Sequence, residues 1–502
     1  MRLLTTRTTA LAAVLLAVTT GVTATTATAA PPAACATRVN STIDRLLECV
    51  ELDGVRAHQA ALQDIADDNG STRVSGSAGY DESVDYVAAK LQAAGWSVTL
   101  QPFQFQTFVS LAPSVLEQVA PPPAGPLAHN IMTYSGSGDV TAGVSSPSPV
   151  TGCFAADWAG FPAGSIALVQ RGGSTETFTC TFAVKAANAA AAGASGVVVY
   201  NNIAGPLNGT LGSTFALDIP VVGITQDMGA VLASTPGLVL HLQTSTLRGT
   251  ATTENVIAEL PGKSTSNVVM AGAHLDSVNA GPGINDNGSG SAGLLEVAEN
   301  LARVKPQNTL RFAWWAAEES SLVGSTYYVT NLPLAERNKI ALYLNFDMIG
   351  SPNYVLFIYD GDNSDGVGAP AGPPGSAQIE KTFEAYFTSQ GLPFKGTDFT
   401  GRSDYGPFIA VGIPSGGLFT GAEGIKTAEE AAVWGGTAGV AYDPCYHQAC
   451  DTYANNSDDA LAANSDAVAY AALTYGMSTN LINGTKSKGN FRPPPAVGPP
   501  AS

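Results

Sequence analysis

The chain has 502 residues, is 45% apolar and only 13% charged, and carries a formal net charge of −18. That apolar content excludes a disordered chain, and the acidic balance argues against nucleic acid or an acidic lipid surface as a partner. The length leaves room for about two to four domains.

The N-terminus reads as a targeting segment over residues 1–29. Arg2 and Arg7 supply its positive end, Ala10 to Val18 a short apolar run, and Ala27-Thr28-Ala29 a small-residue cleavage pattern. The run falls short of the ~20 residues that a membrane span needs, so a secreted, extracellular protein without a membrane anchor is expected. Of the six cysteines, none forms a C-x-x-C pair, which argues against a cysteine-ligated zinc. An even count in an exported chain favours disulfides, and neighbourhood suggests Cys35 with Cys49, Cys153 with Cys180, and Cys445 with Cys450.

Residues 36–68 read as helical, with Leu46, Leu47, Val50, Val55, Leu62 and Ile65 near helical spacing. A loop at Arg73–Tyr80 leads to a second helix through Val84, Val87, Ala88 and Leu91, which Gly95 should stop. Trp96 to Phe103 alternates like a strand. The cluster Pro121-Pro122-Pro123-Ala124-Gly125-Pro126 marks a boundary, beyond which short strands and small residues dominate. Strands at 165–170, 196–200 and 219–224, with an alanine-rich helix at 182–194, make residues 127–250 an inserted β-rich module. From 254 strands and helices alternate again, with strands at 255–260, 268–273, 309–317, 341–347 and 354–359. The chain is therefore expected to be α/β, a mostly parallel mixed sheet covered by helices on both faces. Residues 36–126 and 251–483 would form one domain interrupted by the insert. The Lys-, Gly- and Pro-rich tail at 484–502 is expected to be disordered or removed.

The chemistry collects at predicted strand ends. Val268–Ala273 runs into His274-Leu275-Asp276, and a glycine-rich loop then delivers Asp286. Glu318-Glu319 follow the strand ending Trp314-Trp315-Ala316-Ala317, and both can face one site only if the strand breaks into a turn there. Asp347 ends another strand, and His447 sits between Cys445 and Cys450, where a short disulfide would pin its loop. Each piece alone is commonplace, since acids at strand ends usually cap turns. Together they form a mixed imidazole and carboxylate set for two metals, a composition that suits zinc.

This set, with Gly272-Ala273-His274-Leu275-Asp276-Ser277, Gly283-Ile284-Asn285-Asp286-Asn287-Gly288, Leu344-Asn345-Phe346-Asp347-Met348, Gly401-Arg402-Ser403-Asp404-Tyr405 and Cys445-Tyr446-His447, resembles the secreted dizinc aminopeptidases of the M28 type. The likeness covers roughly 250–480, and residues 40–105 resemble the family's N-terminal part. The insert resembles a protease-associated domain through Ile166–Gly172, Cys180–Ala189 and Gly193–Asn201. The resemblance implies the zinc-exopeptidase fold and two Zn2+ per chain. His274 and Asp347 would hold one ion, Glu319 and His447 the other, and Asp286 would bridge them. It implies Glu318 as general base, a hydrogen bond from Asp276 to the far nitrogen of His274, and a cis peptide after Asp286. Tyr446 would donate to the developing oxyanion, and Arg402 would bind polar groups of the substrate.

The resemblance implies peptides with a free N-terminus as substrates, leucine-like residues preferred, and the expected state is a monomer. Some relatives also bind a modulating Ca2+, for which Asp451, Asp458 and Asp459 are the acidic candidates. Competing readings are a glutaminyl cyclase-like aminoacyltransferase with one zinc, a non-catalytic peptide binder, and a carboxypeptidase. The complete ligand set and the intact Glu318 weigh against the first two.

Overall fold

Four parallel strands form the centre of the larger sheet, in the spatial order Ser415–Phe419, Ile340–Phe346, Ser264–His274 and Asn308–Trp315. The computed structural model describes residues 35, 37–175, 177–366 and 368–484. The expected signal peptide and nearly all of the Pro-rich tail therefore lie outside the described residues. Antiparallel partners flank the parallel centre. Val239–Leu260 lies beside Asn308–Trp315, followed by Ser97–Ala120. At the other edge Phe357–Tyr359 runs antiparallel to Ser415–Phe419, with Lys395–Thr397 beyond it.

Every residue of Ile340–Phe346 is buried, which is why the strand reads as apolar without alternation. One face of the sheet packs under helices Leu52–Asp68, Ala78–Ala94, Gly288–Leu301, Ser376–Gln390 and Asp458–Met477, around Val87, Leu295, Phe312, Phe383 and Leu473. The other face packs under Val323–Asn331 and Tyr405–Ala410, where Met270, Trp315, Tyr328, Tyr343 and Phe408 meet. The Tyr343 and Phe408 rings stack with centroids 3.8 Å apart. Large apolar side chains buried this fully contribute about 1.5–3 kcal/mol each. The fold is the expected α/β architecture, covered on both faces.

The insert has its own sheet of Gly138–Ser145, Ile166–Gln170, Gly196–Tyr200 and Val221–Ile224. Alternate residues of these strands serve two cores. Val169, Val197, Val199 and Val221 point to one, and Leu168, Val198 and Val222 to the other.

The expected boundary at 126/127 falls at the end of the short strand Gly125–Pro126, whereas that at 250/251 falls inside the strand Val239–Leu260. Ser97–Ala120 and Val239–Leu260 pair along nearly their whole length and run as one ribbon from the larger sheet into the insert. The register shifts between Ser110 and Val115 mark the crossing. Pro102 and Pro113 are accommodated because this strand is an edge strand, where a missing N–H breaks no ladder.

The long N-terminal helix is also corrected. It divides into Ile43–Leu47 and Leu52–Asp68, with Glu51 extended between them. Beyond the turn at Glu318-Glu319 a helix begins at Val323. All three disulfides have the expected pairing, Cys35–Cys49, Cys153–Cys180 and Cys445–Cys450. Among the described residues no helix is long and apolar enough to cross a membrane.

Candidate active site

The strands deliver their acids and histidines to one place, the carboxyl edge of the parallel sheet, where open α/β sheets bind ligands. His274 is the last residue of its strand, and Asp347 follows the end of Ile340–Phe346. The strand Asn308–Trp315 breaks just beyond its end. Ala317 takes a φ of +52°, and the Ser321 and Leu322 amides both donate to the Glu318 carbonyl at 2.8 Å. That turn brings Glu318 and Glu319 to the same cavity, as two adjacent acids require. Met348 and His447 also have positive φ, 49° and 57°. Such conformations cost about 1–3 kcal/mol each and persist only where surrounding contacts over-determine them.

Those contacts can be named. The Ala317 amide donates to Ser75 Oγ at 2.6 Å and the Glu318 amide to Asp276 Oδ1 at 3.2 Å. Asn287 Nδ2 donates to the Phe346 carbonyl at 2.9 Å, while its Oδ1 accepts from the amides of Gly290 and Met348. The peptide between Asp286 and Asn287 is cis, as the resemblance implied. The loop before Asp286 wraps around Arg73, which is fully buried. Its guanidinium donates to the carbonyls of Pro282 at 3.0 Å, Gly283 at 2.7 Å and Leu275. Gly283 has a φ of +64°, and a Cβ there would lie 2.4 Å from the Asp286 carbonyl oxygen, so the turn requires glycine.

At the centre, the two oxygens of Asp286 face different histidines. Oδ1 is 3.2 Å from His274 Nε2 and Oδ2 is 3.2 Å from His447 Nε2. Asp347 Oδ1 lies 3.3 Å from His274 Nε2, and Glu319 Oε2 lies 3.1 Å from His447 Nε2. Three overlapping three-residue clusters able to hold a metal result, His274/Asp286/Asp347, Asp286/Glu319/His447 and His274/Glu318/Glu319, and the first two share Asp286. His274 is deep, with a side chain 2% exposed, whereas His447 is 41% exposed.

The electrostatics favour cations here. Despite burial, Glu319 and Asp286 push the His447 imidazole up to about 11. His274 is likewise raised against the effect of burial, by Asp347 and Glu318. Burial raises Glu318 well above the usual carboxyl range, with Glu319, Asp404 and Asp347 adding to it. A field that holds imidazoles protonated is one that divalent cations would relieve. Glu319 Oε1 and Asp347 Oδ1 are moreover buried with no hydrogen-bond partner among the described residues. Buried carboxylate oxygens without donors, beside two imidazoles, fit a zinc-type ligand set.

The remaining expected residues take these places. Asp276 supports His274 through its backbone, since His274 Nδ1 is 3.1 Å from the Asp276 carbonyl oxygen. Its carboxylate stands 3.7 Å from Nδ1, too far for the expected hydrogen bond, and is engaged by the Glu318 amide. Tyr446 and Arg402 both line the cavity. Arg402 Nη2 donates to Tyr446 Oη at 3.1 Å, and Nη1 pairs with Glu423 at 2.7 Å. The three calcium candidates do not assemble. Asp451 accepts from the amides of Asn285 and Asp286 at 2.8 and 2.9 Å. Asp458 pairs with Arg56 at 3.3 Å, and no metal-capable cluster among the described residues includes Asp451, Asp458 or Asp459.

Sequence reading missed Arg73, Asp451 in its supporting role, Asn287 and Ser403, whose Oγ donates to Asp347 Oδ2 at 2.5 Å. Asp404 is also buried at the site, its carboxyl raised to about 7 by burial. The cavity over the cluster has a volume of about 290 Å³, and Met348, Phe357, Tyr359, Phe419 and Tyr442 give it an apolar end.

Comparison with known proteins gives the family and the fold. Residues 255–472 match the model of peptidase family M28, and residues 137–232 match that of the PA domain. The chain is 48% identical over 455 residues to an aminopeptidase of Pseudomonas aeruginosa, covering 87% of this chain and 83% of that one. It is 42% identical over 441 residues to leucine aminopeptidase 2 of Trichophyton rubrum, covering 87% and 86%. Among solved structures, an aminopeptidase from Aneurinibacillus sp. strain AM-1 superposes with a TM-score of 0.68 at 28% identity, covering 86% of this chain and 95% of that one. A zinc aminopeptidase from Bacillus subtilis superposes with a TM-score of 0.56 at 25% identity, covering 84% and 94%. The chain belongs to peptidase family M28, as a metallo-exopeptidase of the aminopeptidase type that carries an inserted PA domain.

Proposed function

We propose that this aminopeptidase is secreted, acts as a monomer, and removes large apolar N-terminal residues such as leucine from peptides. Its cluster would hold two zinc ions, with His274 and Asp347 on one, Glu319 and His447 on the other, and Asp286 between them. Zinc ions so placed supply Lewis acidity toward the scissile carbonyl and the attacking water.

The chain's own groups do the rest. Glu318 lines the cavity and also clusters with His274 and Glu319, but the two clusters that share Asp286 are complete without it, which leaves it for proton transfer. It takes the proton of the attacking water and passes it to the leaving amine. Tyr446 Oη accepts from Arg402, which leaves its own proton free to donate to the oxygen that gains charge. Arg402, held by Glu423, orients that hydroxyl and meets polar groups of the substrate. The free α-amine of the substrate finds carboxylates at Glu318 and Asp347. The apolar end formed by Phe357, Phe419 and Tyr442 receives a leucine-sized side chain. The signal-like N-terminus and the three disulfides support export.

The observation that carries this reading is the Asp286 carboxylate, each oxygen 3.2 Å from a different histidine. Metal content and hydrolysis test it together. Asp286→Ala should lower the zinc content by two ions per chain and abolish cleavage of leucine-p-nitroanilide. Loss of one ion would instead match a single-zinc transferase. Cleavage of N-blocked peptides but not of the free-amine substrate would overturn the aminopeptidase assignment.

A further inference from the structure

A second set of metal-type donors lies between helices Leu52–Asp68 and Gly288–Leu301 and shares no residue with the catalytic cluster. His58, on helix Leu52–Asp68, is 3% exposed. Its Nε2 points at Glu296 and Glu299, one turn apart on helix Gly288–Leu301. It lies 3.6 Å from Glu296 Oε2 and 3.6 Å from Glu299 Oε2, and it is buried without a hydrogen-bond partner among the described residues. A charge-assisted imidazole–carboxylate hydrogen bond would close to about 2.7–2.9 Å. Tetrahedral zinc with ligand bonds of ~2.0–2.2 Å sets neighbouring donor atoms roughly 3.3–3.6 Å apart. Two equal contacts at the upper end of that range are the spacing of ligands around an ion.

The supports around each donor are those of a ligand set. His58 Nδ1 is 2.7 Å from Tyr86 Oη, and with Nδ1–H donating, the Nε2 lone pair faces the carboxylates. Asn300 Nδ2 donates to the other oxygen of Glu296 at 2.8 Å. Lys90 Nζ lies 3.8 Å from the other oxygen of Glu299. The Glu296 carboxylate lies over Gly54, where a Cβ would stand 2.3 Å from Oε2, so glycine lets it keep its present position. Neutral imidazole with two carboxylates carries two negative charges, matching a divalent cation. A solvent-open cavity of about 630 Å³ borders Glu296 and Glu299 and provides entry and water for the remaining coordination position.

We propose that His58, Glu296 and Glu299 form a structural metal site for one divalent cation of the zinc class, separate from the catalytic pair. The ion ties helix Leu52–Asp68 to the helix that begins two residues after Asp286, so it anchors the element on which the bridging loop is mounted.

The test is a metal count on the full chain, incubated with Zn2+ and then passed through gel filtration. His58→Gln and Glu299→Gln should each carry one zinc fewer than the wild type while still hydrolysing leucine-p-nitroanilide. This difference is independent of how many ions the catalytic cluster holds. Asp286→Ala should retain one zinc, which is lost when His58→Gln is added. If His58→Gln fails to fold, Glu299→Gln decides, because Glu299 is only half-buried. Equal zinc in the wild type and Glu299→Gln, or none in Asp286→Ala, overturns the site and leaves His58 a plain ion-pair partner.

Discussion

Asp451 ties together the two loops that carry Asp286 and His447, so replacing it should loosen metal and fold at once. The carboxylate is 2% exposed and accepts from the amides of Asn285 at 2.8 Å and Asp286 at 2.9 Å. It directly follows Cys450, whose disulfide to Cys445 closes the loop holding His447. Asp451→Ala leaves two buried N–H groups without acceptors. Each costs about 1–3 kcal/mol, so the loss is about 2–6 kcal/mol, and a water entering the vacated space would bring it toward the lower half. Asp451→Asn keeps one acceptor and turns an amide donor toward the other N–H, for roughly half that loss. In a domain of this size each kcal/mol is worth about 1–2 °C, so a loss in that lower half should make the alanine variant melt about 2–8 °C below wild type. Displacing the bridging carboxylate should also weaken metal retention by about 10–100-fold, as for other supports of ligating groups. Thermal melts and zinc retention against a graded chelator measure both effects, with the order wild type, asparagine, alanine. An alanine variant with wild-type melting and wild-type chelator sensitivity would refute the proposed clamp.

Ser403→Ala removes the donor to Asp347 Oδ2 and should weaken metal retention by about 10–100-fold with little change in melting, read in the same chelator titration. Glu318→Gln should keep the wild-type metal content and lower kcat for leucine-p-nitroanilide by about 10²–10⁴-fold; an unchanged rate would remove Glu318 from the role of base. Burial holds the Asp466 carboxyl up at about 7, far above the ~3.9 of an unfolded aspartate. The folded state therefore binds this proton more tightly, and the stability it contributes is full below pH ~4 and lost as pH rises through ~7. Asp466→Asn should match wild-type melting near pH 4 and exceed it near pH 8, by on the order of 2 kcal/mol. An equal difference at both pH values would contradict that assignment.

The candidate ligands could be picked out because chemistry restricts such groups to a few residue types, and α/β topology restricts them to strand ends. His274, Asp347 and the Glu318-Glu319 pair each follow an apolar run that could only be a buried strand. Their supports were not legible, because they act on the backbone. Arg73 binds three carbonyls and Asp451 two amides, and nothing in a sequence says which carbonyl an arginine will meet. Asp276 shows the limit at one residue. Its spacing from His274 is right, yet its carbonyl takes the imidazole contact while its carboxylate takes the Glu318 amide. The insert's edges were only partly legible. The Pro cluster at 121–126 marks one of them, but the ribbon of Ser97–Ala120 and Val239–Leu260 runs through both sheets, so the return at 250/251 falls inside a strand.

Backbone-directed supports also explain how a site made of loops can be rigid. Asp286, Glu318, Glu319 and Asp347 converge on one cavity, and like charges so close repel. Left to themselves, four acids on turns would swing apart into water. Here Asn287 fastens the loop after Asp286 to the end of the Asp347 strand, Ser75 and Asp276 fasten the turn at Glu318, and Asp451 fastens the loop before Asp286. Ala317 and Met348 hold left-handed conformations inside those contacts. The folding energy of the sheet thus offsets the repulsion before any cation arrives. An arriving ion then finds its ligands already convergent and loses little affinity to ordering them.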